Sequence, residues 1–186
     1  MAIDQQQLME MFYRLECSVS QAHRDEVQGD NWNYIPYSHL RFYKQLKEVI
    51  ENLGKRPKDL RFLEMGCGLG TKLYIAAAWC KIGTVHGLEI NPAYCEIARH
   101  MITSASLPPS TTLRRGSRNK SSPSRQVFCG DVQEFDRYHE YDLIYTYGEI
   151  VGKYYSVEQK VKRDMKPGAI LLSAVLNCEM DYWEKP

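Results

Sequence analysis

Glu64, Gly66, Gly68 and Gly70 have the types and spacing with which a chain could bind a nucleotide. They lie in Phe62-Leu63-Glu64-Met65-Gly66-Cys67-Gly68-Leu69-Gly70, an apolar run that passes through an acid into three alternating glycines. Glycine is needed where a chain turns with positive φ, or where its backbone must lie against a ligand. Three glycines between a strand and a helix describe the nucleotide-binding mouth of a doubly wound sheet. A dinucleotide site wants G-x-G-x-x-G, whereas here the third glycine comes one residue early and Thr71 stands where the last should be. Cys67 within the loop could be functional, or simply a small residue where a bulky one would not fit. Glu89 follows Gly70 by 19 residues, at the end of an apolar run. An acid so placed can accept from both ribose hydroxyls, one on each carboxylate oxygen. The plainer alternative is a solvated carboxylate at a strand end.

The elements that must position these residues alternate. Asp4 and Gln7 form a capping box for a first helix with Leu8, Met11, Phe12 and Leu15 at helical spacing. Ser38 can cap a second, whose stripe is Leu40, Tyr43, Leu46, Val49, Ile50 and Leu53, stopped by Gly54 and Pro57. Strands are expected at 60–64, 84–89, 126–129, 141–147 and 169–175. Helices follow at 71–79, after Asn91-Pro92, and at roughly 153–164. Such alternation implies parallel strands with right-handed crossovers.

Of the 22 residues from Thr103 to Ser124, ten are Ser or Thr, with Pro108, Pro109, Gly116 and Pro123 among them. The reading is a single domain with an N-terminal helical cap over 1–55, a core over 56–176, and a basic, mobile excursion over 103–125. No acid occurs between Glu96 and Asp131, where six basic residues fall. Removing those six leaves 18 basic against 23 acidic residues, so one basic segment sits on an acidic body. Arg114, Arg115, Arg118, Lys120 and Arg125 could contact nucleic acid phosphates, or merely line a solvated loop. The longest apolar runs are too short to span a bilayer. Six cysteines without C-x-x-C spacing and a start without a secretory signal read as reduced thiols of a cytoplasmic protein. The five histidines show no metal spacing and read as surface or packing residues, and no metal site is expected.

Glu64-x-Gly66-x-Gly68-x-Gly70 resembles motif I of the class I, seven-strand S-adenosylmethionine-dependent methyltransferases. Glu89 matches their ribose acid, and Phe128-Cys129-Gly130-Asp131-Val132 resembles their adenine motif. Residues Tyr141 to Glu149 stand at the place of motif IV. The resemblance spans about residues 34–176 and implies a Rossmann-like sheet of order 3-2-1-4-5, preceded by two helices. The family's terminal strand 6/7 hairpin is expected to be missing or reduced, since only 11 residues follow Val175. It also implies S-adenosylmethionine as cofactor, held by Glu64, Gly66, Cys67, Gly68, Gly70, Glu89, Ile90, Asp131, Val132 and Tyr145. Glu64 would order the loop or meet the ligand's ammonium. Asp131 would accept from the adenine amino group, or else cap a short helix near Val132. Glu149, with Tyr147 orienting, is the candidate base, and Tyr34, Tyr37, Tyr145 and Tyr147 could line a substrate pocket. The motif IV stretch lacks both the Asn/Asp-Pro-Pro-aromatic of base amino-methylation and the Pro-Cys of cytosine C5 chemistry. A nitrogen or oxygen acceptor on a protein or small molecule is therefore expected. An RNA methyltransferase using the basic segment, or a noncatalytic cofactor-binding subunit, remains an alternative.

Overall fold

The computed structural model describes residues 4–26, 37–105, 124–147, 155–174 and 181–186. Elements run α1 (Gln5–Glu26), α2 (His39–Asn52), β1 (Arg61–Met65), α3 (Thr71–Ala78), β2 (Thr84–Glu89) and α4 (Pro92–Ser104). They continue as β3 (Ser124–Cys129), β4 (Leu143–Tyr147), α5 (Tyr155–Asp164), β5 (Ile170–Ala174) and β6 (Asp181–Glu184). The sheet order is β3-β2-β1-β4-β5-β6. The first five strands are parallel, and β6 runs antiparallel along β5 from Ile170↔Glu184 to Ser173↔Asp181. The terminal hairpin is thus reduced, among the described residues, to one edge strand.

Alternation along the strands sends Phe62 and Glu64 to one face of the sheet and Leu63 and Met65 to the other. The first face is covered by α2, α3 and α4 through residues such as Phe42, Leu46, Leu73, Ala76, Cys95 and Ala98. The second is covered by Val157 and Val161 of α5 and by Met165 just after it, with Tyr138 and Tyr141. Each buried aliphatic or aromatic side chain contributes about 1.5–3 kcal/mol, so these two layers carry the fold.

Both expected caps are present. Asp4 Oδ1 accepts from Gln6 N at 2.9 Å, and Ser38 Oγ accepts from Arg41 N at 3.3 Å. The face of α1 is rotated from the expected stripe. Met9 and Glu16 are buried, while Met11 and Leu15 are 54% and 45% exposed. In α2 the buried line is His39, Phe42, Leu46 and Ile50. β3 begins at Ser124, so Arg125 belongs to a strand and not to the basic excursion. Its guanidinium donates to Gly83 O at 2.7 Å and Ile82 O at 3.0 Å.

Gly83 has a different reason from the loop glycines. A Cβ there would lie 1.9 Å from Lys58 O, a backbone atom that cannot rotate away. Gly83→Ala should therefore cost about 3 kcal/mol, the upper range for overpacking. An unshifted denaturant midpoint would contradict this.

His86 is a packing residue, buried with Nδ1 2.8 Å from Tyr141 Oη and Nε2 2.9 Å from Ser124 Oγ. Burial first, then Arg61 and Arg137, lower its pKa from 6.5 to about 4. A base whose folded pKa is depressed takes up a proton on unfolding. This contribution is present above about pH 6.5 and lost as the pH falls towards 4, on the order of 2–3 kcal/mol. Denaturant titrations at pH 7 and pH 5 should show the loss, and His86→Gln should flatten it.

Candidate functional site

At the carboxyl ends of β1 and β2 the chain folds the glycine loop back on β2. Gly66, Gly68 and Gly70 have φ of 69°, 50° and 77°, the left-handed region that favours glycine. Gly66 N and Cys67 N both donate to Leu88 O, at 2.8 and 3.1 Å, and Gly70 N donates to Cys67 O at 2.9 Å. Gly68 N donates to Glu89 Oε2 at 2.8 Å, while Glu89 Oε1 accepts from Asn91 N at 2.9 Å. Glu89 therefore ties the loop to the strand tip, and each oxygen keeps a further lone pair for a hydroxyl. Gly130 N donates to Glu89 O at 2.9 Å, which brings Asp131 to the same rim. Ile90, 46% exposed, offers an apolar surface beside them.

Glu64 lies opposite Gly87 of β2 and Tyr145 of β4 in the sheet register. It is buried, and its Oε2 has no hydrogen-bond partner among the described residues. Burial pushes its carboxyl up to about 8, with Lys72 opposing. The loop amides at 66, 67, 68 and 70 go elsewhere, so ordering the loop falls to Glu89 and Leu88 rather than to Glu64. Above the loop, Glu16 of α1 meets the first turn of α3. Its Oε1 accepts from the Thr71 hydroxyl and lies 3.1 Å from His39 Nε2, and Lys72 Nζ is 3.4 Å from Oε2. Burial would raise Glu16, but Lys72, His39 and Thr71 bring it down to about 2. The same acids hold Lys72 above its ordinary value despite its burial. His39 is lowered by burial and by Lys72, against Glu16, which keeps it neutral.

This architecture recurs in solved structures. An S-adenosylmethionine-dependent methyltransferase from Geobacter sulfurreducens, in complex with S-adenosylhomocysteine, aligns with 86% of this chain and 54% of its own, at 15% identity and a TM-score of 0.55. An RNA methyltransferase from Salinibacter ruber, also with S-adenosylhomocysteine, aligns over 77% and 92% at 17% identity and 0.54. A third, from Thiobacillus denitrificans with the same ligand, aligns over 71% and 46% at 18% identity and 0.50. The chain spans about half the length of the first and third. No protein-family model matches the sequence, and no curated protein does. The shared architecture is decisive for the fold. The chain has the class I methyltransferase fold.

Within that fold the expected site residues separate. Gly66, Gly68, Glu89, Ile90 and Asp131 lie together at the carboxyl ends of β1, β2 and β3, with Glu64 buried in β1 two residues before the loop. Gly70 is packed against α4, where a Cβ would lie 2.9 Å from Ala98 Cα. Cys67 is buried against Gly87, where a Cβ would come within 2.6 Å of its Sγ, so its small size has a packing reason. Asp131 Oδ1 accepts from Gln133 N at 2.8 Å, capping a single turn rather than a helix. The Val132 carbonyl accepts from Tyr138 Oη at 2.8 Å. Tyr145 is fully buried edge-on to Phe42, 4.9 Å between rings, and lines the core instead of an open pocket. Tyr37 is buried with its hydroxyl on Gln45, and Tyr147 is half-buried at the end of β4. Glu149, Tyr34, Arg114, Arg115, Arg118 and Lys120 lie outside the described residues.

The sequence reading missed Glu16, His39 and Lys72. Two signals pointed to the first two of these. His39, Phe42, Leu46 and Ile50 repeat at three- and four-residue steps, and so do Met9, Phe12 and Glu16. In both, a polar residue continues the inward line. Among the described residues the five cysteines are free thiols, and no helix is long and apolar enough to cross a membrane.

Proposed function

We propose that this chain binds S-adenosylmethionine and transfers its methyl group to a nitrogen or oxygen on a protein or small molecule. The observation that carries the reading is Glu89, which binds the left-handed glycine loop through Gly68 N while keeping acceptor capacity at the crevice. The residues present fit the cofactor. The loop offers backbone without side chains, and the unpartnered Glu64 Oε2 is a buried acceptor suited to an ammonium. S-adenosylmethionine, when bound, supplies a methyl group on a sulfonium that is already activated for displacement.

The protein's part is then to bind, align and exclude water. Glu89 would take the ribose hydroxyls and Asp131 the adenine amino group, with Ile90 against the ring. Holding an acceptor in line with the methyl can be worth about 7–11 kcal/mol of barrier. Glu149 remains the proposed base and Tyr147 its orienting neighbour. Because Arg125 is engaged with Ile82 and Gly83, any nucleic-acid contact by the basic segment would fall to Arg114, Arg115, Arg118 and Lys120.

Incubation with methyl-labelled S-adenosylmethionine and fractionated cell extract tests the activity. Label should move to an acceptor in the protein or small-molecule fraction. Label found only in RNA would make the RNA alternative the better reading. Tight cofactor binding without transfer to any fraction would favour the noncatalytic subunit.

A further inference from the structure

Helix α1 is fastened to the body by an acid. From Asp4 to Val19 its buried residues are Met9 and Glu16, while Met11, Tyr13 and Leu15 stand exposed. Phe12 adds ring contacts to Tyr74 and Trp79 at 5.5 and 6.4 Å. Such a thin apolar contact leaves the polar cluster to fix where the helix sits.

That cluster is a carboxylate site with a carboxylate in it. The Thr71 hydroxyl, His39 Nε2 and the buried Lys72 ammonium converge on Glu16. Thr71 and Lys72 open α3, whose N-terminal dipole favours an anion at the same point. Glu64 shares the electrostatic environment of Lys72. Its Oε2 and His39 Nδ1 have no hydrogen-bond partner among the described residues, in side chains only 2% and 1% exposed. Three donors for an anion, beside a buried unpartnered carboxyl that can ionise against an ammonium, complement both ends of a zwitterionic α-amino-acid group.

We propose that Glu16 is an internal stand-in for a ligand's α-carboxylate, and that α1 is a latch released when such a carboxylate takes its place on Thr71, Lys72 and His39. The inference rests on the cofactor reading above, since the methionyl end of S-adenosylmethionine carries an α-amino-acid group. Two carboxylates sharing one buried ammonium would repel each other. Exchanging one for the other keeps Lys72 compensated and returns Glu16, still ionised, to water.

Hydrogen exchange of the α1 amides tests this on the full chain, alone, with S-adenosylhomocysteine, and with 5′-methylthioadenosine. The second ligand keeps the nucleoside thioether and lacks the amino-acid group. S-adenosylhomocysteine should speed exchange in α1 several-fold, and methylthioadenosine should bind without doing so. Glu16→Gln should loosen α1 without ligand, strengthen S-adenosylhomocysteine binding several-fold, and leave methylthioadenosine binding unchanged. If that variant does not fold, the comparison of the two ligands on the wild-type chain still decides. S-adenosylhomocysteine binding that slows exchange in α1 overturns the latch alone. Failure of both ligands to bind overturns the latch together with the cofactor reading beneath it.

Discussion

Glu89→Ala should lose at least about a hundredfold in affinity for S-adenosylmethionine. Each charge-assisted bond to a ribose hydroxyl is worth about 1.5–3 kcal/mol, and about 1.4 kcal/mol is tenfold in affinity. Two such bonds would go. The amides of Gly68 and Asn91 would also lose their acceptor, so the loop itself would loosen. Asp131→Ala should cost less, because its Oδ1 already caps a turn at the half-exposed rim and would supply one ligand bond. Competition binding on both variants checks the order. If a 2′,3′-dideoxy cofactor binds the wild type as well as the natural one, the ribose assignment is wrong.

Cofactor binding near pH 7 should release a proton from Glu64. In the free protein burial holds this carboxyl at about 8 instead of its ordinary 4.5, so it is protonated at neutral pH. A ligand ammonium on Oε2 would favour the ionised form. The sign follows by linkage: binding should tighten as the pH rises towards 8, with release fading below about 4.5. For the free protein the same raised pKa means stability is lost as the pH rises through that window, and ligand should restore it. Calorimetry in buffers of different ionisation heat reads the proton directly. Glu64→Gln should abolish the release and weaken the cofactor about ten- to a hundredfold. Equal proton release in the variant would point to another group.

The cofactor half of the fold was legible because its signals are local. Alternating glycines need left-handed backbone, an acid ends β2, and Asn91-Pro92 opens α4, with the Asn91 side chain accepting from Ala93 N. The alternation implied parallel strands with right-handed crossovers, while the strand order came with the resemblance to the methyltransferase motifs. What escaped depends on contacts distant in sequence. Glu16 and Lys72 are 56 residues apart, and a polar residue on a helix reads as solvated until a partner is known. The same contact rotates α1 away from the face suggested by Leu8, Met11 and Leu15. The four-residue β6 carries no alternation strong enough to announce an edge strand. Arg125 read as part of a basic loop because the carbonyls it caps, on Ile82 and Gly83, come from the turn before another strand.

Calorimetric titration of the purified protein with S-adenosylmethionine, S-adenosylhomocysteine and NAD tests the central claim most directly. Both sulfur ligands should bind, and NAD should give no heat, since the third glycine comes too early for a dinucleotide fingerprint. No heat with either sulfur ligand, or tighter binding of NAD, would contradict the reading of the crevice as an S-adenosylmethionine site.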